Sequence, residues 1–249
     1  MTIYEQLKRL GFSPNDYTYA IMIKALCKKG NLEVAVHVFQ EMEVVGITPR
    51  AFAYTAYIKG LCTHQRSDLG YQVLQAWKGA DAPIEAYAYA IVICGFCDEM
   101  KLDDVESVFL DMQKQGVVPD AQSYVAMIHG YCKSSNLLKA LALHNDMVSK
   151  DIKSNCVIAS SILQCTCNMG MSSEALSLFE EFKGSGIFLD EASYNILVDA
   201  LCTQGKVEEA VQLLEEMKGK LMSLDIMHYT TLIKGYCFIG KIVDALNLF

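Results

Sequence analysis

The sequence predicts an all-α protein, an α-solenoid of stacked helical hairpins. Three observations predict it. Seven of the ten cysteines stand at Cys27, Cys62, Cys97, Cys132, Cys167, Cys202 and Cys237, each 35 residues after the last. A fixed internal period of this size marks a repeat architecture. Within each period the apolar residues follow helical spacing twice. The four prolines, Pro14, Pro49, Pro83 and Pro119, all lie where one period passes into the next, where a helix must end.

Other residues keep the same step. A tyrosine precedes the cysteine by eight at Tyr19, Tyr54, Tyr89, Tyr124, Tyr194 and Tyr229, with Ala159 breaking the series. An alanine follows by eight at Ala35, Ala140, Ala175, Ala210 and Ala245, with Gly70 and Val105 as variants. Starting each repeat eleven residues before its cysteine gives full repeats at 16–50, 51–85, 86–120, 121–155, 156–190 and 191–225. Residues 1–15 are the tail of one further repeat and 226–249 the head of another, so the chain is expected to be a piece of a longer array.

The elements follow in order within one repeat. In 191–225 the first helix carries Tyr194, Leu197, Val198, Leu201 and Cys202 on one face, and Gly205 stops it. The second carries Val207, Ala210, Val211, Leu213, Leu214 and Met217 on an apolar stripe, with glutamates outside. The small residue at repeat position 20 lets the second helix approach the first closely. Some fourteen helices are expected, stacked into a right-handed superhelix. Apolar surface is expected at both ends, at Leu7, Leu10, Leu246, Leu248 and Phe249, with end-to-end self-association as its consequence.

Composition removes several classes. Apolar residues make up 52% of the 249 and charged ones 20%, which excludes a disordered polar chain. The N-terminal MTIYEQLKRLGFSPN has neither the apolar centre of a signal peptide nor the Arg- and Ser-rich character of a transit peptide. No apolar run is long enough to span a membrane, so no membrane partner is expected. Ten cysteines without a secretory signal read as reduced thiols rather than a disulfide framework. One repeat separates successive periodic cysteines, too far for a shared ~2.3 Å Zn–S shell, so no metal is expected. Cys165 and Cys167 form the closest pair in sequence, on diverging faces of one helix. The five histidines are scattered over different repeat positions, and pairs such as Glu208–Glu209 lie on a solvated face. No catalytic residue and no cofactor are expected, and the protein is not expected to be an enzyme.

A 35-residue repeat of the form seen in YTYAIMIKALCKKGNLEVAVHVFQEMEVVGITPR and ASYNILVDALCTQGKVEEAVQLLEEMKGKLMSLD resembles the pentatricopeptide repeat. The likeness runs through the whole chain, and the constant period of 35 resembles the P-type subclass. The resemblance implies single-stranded RNA binding in organellar RNA metabolism, one base per repeat. Localisation follows only from the family, with the mitochondrion ahead of the chloroplast.

The resemblance also implies residue roles. Positions 5 and 35 of a repeat together read one base: Ala20 with Arg50, Thr55 with Glu85, Ala90 with Asp120, Val125 with Asn155, Ser160 with Asp190, and Asn195 with Asp225, followed by Thr230. A hydroxyl at position 5 is expected to donate to a purine ring nitrogen, and a carboxylate at 35 to accept from guanine or uracil. The fifth base is then guanine, the sixth uracil and the seventh a purine, after four loosely specified bases. Position 2 packs between successive bases: Tyr17, Phe52, Tyr87, Gln122, Val157, Ala192 and Met227. The tyrosines at position 4 read instead as core.

Net charge is −8, yet the sign is layered. Repeat positions 1–16 hold ten basic and five acidic residues, whereas positions 17–30 hold nine basic and eighteen acidic. Local rather than overall potential attracts phosphate. Lys24, Lys59 and Lys234 at position 9, and Lys28 and Lys133 at position 13, are the expected phosphate contacts. Position 13 otherwise holds Thr63, Asp98, Asn168, Thr203 and Phe238, a departure from the family pattern. The alternative is a protein-interaction scaffold holding a peptide or helix in a concave groove. Salt dependence separates the two.

Overall fold

The computed structural model of the chain describes residue 11, residues 14–78 and residues 84–247. Fourteen helices make up the regular structure of these described residues, and no strand occurs among them. The first helices of the repeats are α1 (Asp16–Lys28), α3 (Ala51–Thr63), α5 (Ala86–Asp98), α7 (Ala121–Lys133), α9 (Cys156–Asn168), α11 (Glu191–Thr203) and α13 (Ile226–Phe238). The second helices are α2 (Leu32–Val44), α4 (Ser67–Trp77), α6 (Leu102–Lys114), α8 (Leu137–Ser149), α10 (Ser172–Gly184), α12 (Val207–Gly219) and α14 (Ile242–Asn247). Among the described residues no helix is long and apolar enough to cross a membrane.

Each first helix ends because the chain turns left-handed at repeat position 15. Gly30 (φ 78°) and Gly205 (φ 77°) do this without steric cost. The turn then closes by a bond from Asn31 N–H to Leu26 O (3.0 Å), and by its counterpart from Lys206 N–H to Leu201 O (2.8 Å). Gln65, Met100 and Ser135 take the same conformation with φ of 58–59°, at a cost of roughly 1 kcal/mol each. Position 15 is therefore fixed by the fold and not by the residue that fills it.

The chain divides into two compact units, residues 1–127 and 128–249. In the first, α1 packs on α3 and α3 on α5, and each of these first helices also packs on its own second helix. In the second, α9 packs on α11 and α11 on α13 in the same manner. Each unit is thus two layers deep, first helices beside first helices.

The periodic residues fill the space between layers. Tyr19, Tyr89, Tyr124 and Tyr194 are fully buried, as are Ile23, Ile58, Ile93 and Leu163 at position 8. Burial of each such side chain stabilises by roughly 1.5–3 kcal/mol. Ala35, Ala140, Ala175 and Ala210 are also fully buried where the second helix meets the first. Met42, Met112, Met147 and Met217 sit under the second helices. Trp77 takes the methionine position in its repeat and lies flat on Tyr54, ring centroids 4.8 Å apart.

Four periodic cysteines, Cys27, Cys62, Cys97 and Cys202, are buried, and burial pushes the Cys27 thiol up to about 11 and Cys62 to about 12. Such thiols are packing groups, not thiolates. Cys132 and Cys167 are half-buried and Cys237 is exposed. Cys27, Cys62 and Cys202 meet position 10 of the next first helix, where the residue is Gly60, Gly95 and Gly235. Gly60 is there for contact: a Cβ on it would overlap Cys27 Sγ and Cβ. At Cys165 the glycine is absent, and its thiol hydrogen-bonds to that of Cys132. The meaningful pair for Cys165 is therefore Cys132 in the preceding repeat and not Cys167.

At the C-terminal side, Ile226, Phe238, Ile242, Val243 and Leu246 are exposed. Leu7, Leu10, Leu248, Phe249 and the joint proline Pro83 lie outside the described residues.

Candidate nucleic-acid interface

Position 2 falls in the first turn of each first helix. All seven side chains there are exposed: Tyr17, Phe52, Tyr87, Gln122, Val157, Ala192 and Met227. Large apolar groups held in water at one repeating position need a reason, because scattered exposure would not be periodic. In the first unit they frame clefts. A cavity of about 490 Å³ opens between Phe52 and Tyr87, floored by Thr55 and Ala56 and flanked by Lys24, Lys28, Lys59 and His64. A second, of about 250 Å³, lies between Tyr87 and Gln122 with Ala90 at its base. The space between Tyr17 and Phe52 is closed, because the two rings stack on each other at 5.5 Å and 18°.

The position-5 side chains divide three ways. Ala20 and Ala90 are buried in the core and offer no polar group. Thr55, Val125 and Ser160 are half-buried, and Asn195 and Thr230 are exposed. All three hydroxyls have a hydrogen-bond partner within the protein. Thr55 donates to Ala51 O (2.7 Å) and Thr230 to Ile226 O (2.7 Å), the usual habit of a helical threonine. Ser160 Oγ lies 2.9 Å from Ser193 Oγ. Each of the three hydroxyls is thus engaged within the protein, and donating to a purine nitrogen would require it to turn.

Position 35 has a structural duty that periodicity did not disclose: it is the N-cap of the next first helix. Asp120 Oδ1 accepts from Ser123 N–H (2.9 Å), Asn155 Oδ1 from Ile158 N–H (3.1 Å) and Asp190 Oδ1 from Ser193 N–H (3.0 Å). Asp225 Oδ1 accepts from Met227 N–H (3.0 Å) and His228 N–H (3.3 Å). Burial pushes the Asp225 carboxyl up, but the His228 contact and these backbone bonds outweigh it and hold it below the usual range. Arg50 and Glu85 occupy the N-cap without a side-chain cap bond. Arg50 instead pairs with Asp16 at 3.3 Å. The signal for capping in the sequence is the Asp or Asn at the joint itself, a residue type preferred at helix N-caps.

Position 3 joins this cluster. Ser123 Oγ donates to Asp120 Oδ1 (2.8 Å) and Ser193 Oγ to Asp190 Oδ1 (2.8 Å). Lys24, Lys28, Lys59, Lys133 and Lys234 all lie on the first helices, and all five are exposed. No cluster of three or more metal-ligating side chains occurs among the described residues.

Comparison with known proteins gives this arrangement its context. The model of the PPR repeat family matches residues 85–133, 155–203 and 189–237, more than half of the chain. Two further PPR repeat models match residues 10–43, and residues 122–152 and 227–249. The chain belongs to the pentatricopeptide repeat family. A mitochondrial pentatricopeptide repeat-containing protein of Arabidopsis thaliana is 66% identical over 35 residues, which are 14% of this chain and 4% of that protein. The maize pentatricopeptide repeat protein PPR10 superposes with a TM-score of 0.65 at 19% identity, covering 99% of this chain and 40% of PPR10. Its complex with an 18-nucleotide psaJ RNA element superposes with a TM-score of 0.58. The pentatricopeptide domain of Arabidopsis protein-only RNase P 1, solved with tRNA, gives 0.52 at 12% identity, covering 86% of this chain and 94% of that domain. At these identities the likeness is one of fold, an α-solenoid. The chain spans well under half the length of PPR10 and a small part of the mitochondrial relative.

Proposed function

We propose that this pentatricopeptide chain binds single-stranded RNA sequence-selectively, one base per repeat, with positions 5 and 35 reading the base. The observation that carries this is the file of exposed position-2 side chains with clefts between them. The cleft between Phe52 and Tyr87 combines two aromatic walls with three lysines, the pairing of stacking surface and cation that single strands require. The RNA complexes of PPR10 and of the RNase P domain support the ligand class. The chain acts by occupancy, covering a transcript against processing or exposing a site in it, and performs no chemical step itself. The mitochondrial relative supports an organellar setting.

The decisive experiment is a selection for bound RNA with the unaltered chain and with Asp225→Asn. The expected site has four loosely specified bases, then G, U and a purine. The substitution keeps the cap but replaces an acceptor oxygen by a donor, and should move the sixth base from uracil to cytosine by about tenfold. An unchanged sixth base removes the position assignment. A salt-independent affinity for RNA would favour the peptide-scaffold reading.

A further inference from the structure

The two residues that read the fifth base are joined through a third that belongs to the next repeat. Ser193 is fully buried, at position 3 of repeat 191–225. Its Oγ lies 2.8 Å from Asp190 Oδ1 and 2.9 Å from Ser160 Oγ. A carboxylate only accepts, so the single Ser193 hydrogen goes to Asp190. The Ser160 hydroxyl must then donate to Ser193. Its hydrogen is committed inward, and only lone pairs remain for a ligand.

We infer that Ser193 is a specificity-determining positioning residue that fixes the Ser160–Asp190 pair as two acceptors. This rests on the RNA-binding reading above. The cap bonds use Asp190 Oδ1, so the second carboxylate oxygen remains to meet a base. Of the four bases, guanine presents two adjacent donors, N1–H and N2–H, on its pairing edge. Adenine presents an acceptor at N1, as cytosine does at N3, and each faces a lone pair of Ser160 unless that hydroxyl turns. Turning it breaks the bond to Ser193 and leaves a buried oxygen short of a partner. Discrimination against adenine thus comes from a residue that need not touch the base.

The array holds its own controls. Ser123 makes the same contact with Asp120, but position 5 of that repeat is Ala90, with no hydroxyl to orient. Ala53 and Ala88 occupy position 3 in other repeats, fully packed, so alanine fits the fold there. Thr18 occupies it too, its hydroxyl 2.8 Å from Asn15 Oδ1.

The test measures binding of single-stranded RNA oligonucleotides that differ only at the fifth base. For the unaltered chain guanine should exceed adenine. Ser193→Ala should reduce that ratio about five- to tenfold, the worth of one oriented hydrogen bond, chiefly by raising affinity for the adenine oligonucleotide. Ser193→Thr should keep the ratio, and Ser123→Ala should leave the third-base preference unchanged. A guanine-to-adenine ratio in Ser193→Ala equal to that of the unaltered chain overturns the inference while leaving the RNA reading intact. Equal weakening for all four oligonucleotides, with a lowered melting temperature, also overturns it, since Ser193 would then serve the fold alone. Failure of the unaltered chain to bind any of them overturns the RNA reading and this inference with it.

Discussion

The two units of the chain are built from one repeat yet equip their exposed faces differently. In the first unit, position 2 is Tyr17, Phe52, Tyr87 and Gln122, three of them aromatic, and Lys24, Lys28 and Lys59 stand beside the aromatic ones. Its position-5 residues include the buried Ala20 and Ala90, and of its position-35 residues Arg50 and Glu85 make no cap bond while Asp120 does. In the second unit, position 2 is Val157, Ala192 and Met227, poor stacking surfaces. There Ser160, Asn195 and Thr230 bring polar groups, and Asn155, Asp190 and Asp225 are held in capping geometry. On the RNA-binding reading proposed above, the first unit supplies most of the grip on a nucleotide chain and the second most of the discrimination between bases. Affinity and selectivity are separable properties of such an array, because stacking and charge tolerate any base while oriented hydrogen bonds do not.

The largest expected effect would come from breaking the grip. Replacing Lys24, Lys28 and Lys59 together by alanine should weaken binding of every RNA sequence alike, by roughly tenfold or more at moderate salt. The dependence of log affinity on log salt should flatten by ~0.7 for each phosphate that no longer meets a cation. A drop in affinity with an unchanged slope would mean that the lysines act through folding. Lys183 on α10, already paired with Glu216 and Glu180, should leave the slope untouched when replaced.

The aromatic walls come next. Phe52→Ala and Tyr87→Ala should each cost ~1–3 kcal/mol of binding without altering base preference, measured by titration against pooled and defined oligonucleotides. Tyr17→Ala should cost less, because Tyr17 already spends its face on Phe52. If Tyr17→Ala were the costliest of the three, the stacked pair would have to part on binding, and the closed cleft would be a working one.

The smallest effect concerns the second unit away from its exposed face. Glu216 accepts from Tyr194 OH (2.8 Å) and Lys183 (3.0 Å) and pairs with Lys220 at 2.9 Å. Burial pushes its carboxyl up, but these bonds outweigh burial and hold it at about 2, below its ordinary 4.5. A depressed folded-state value stabilises the fold fully above about pH 4.5, and that stability fades as pH falls through about 2. Glu216→Gln should lower stability at neutral pH by about 1 kcal/mol and flatten the acid limb of the stability curve, read by thermal melts across pH. RNA affinity should not change.

Much of this fold was legible because a repeat writes the same physical demand several times. The cysteine, tyrosine and alanine series named the interface between layers, and one aberrant residue, such as Ala159, could be outvoted by its equivalents. The site was legible only in its positions. That Ala20 is buried while Asn195, at the same position, is exposed depends on how closely neighbouring helices pack, and periodicity is silent on that. The Cys132–Cys165 contact was hidden for a related reason: the informative fact was a missing glycine at position 10 of one repeat, visible only once Gly60 had shown what that position touches. Ser193 was hidden because it belongs to one repeat and acts in another, whereas the sequence pattern presents one repeat at a time.

On the base-reading role proposed for position 35, its N-cap placement limits how such an array can change its target. Asn155, Asp190 and Asp225 each start the helix that follows them. Exchange of one letter for another is therefore an edit to a helix terminus as well. Asp and Asn are near-equal caps, so trading them leaves the scaffold almost untouched, whereas a residue that cannot cap forfeits ~1 kcal/mol of helix stability at each site. Drift in recognition should run easily between the bases those two residues favour and be resisted elsewhere. Arg50 and Glu85, which make no cap bond, mark the two joints where that constraint has been relaxed.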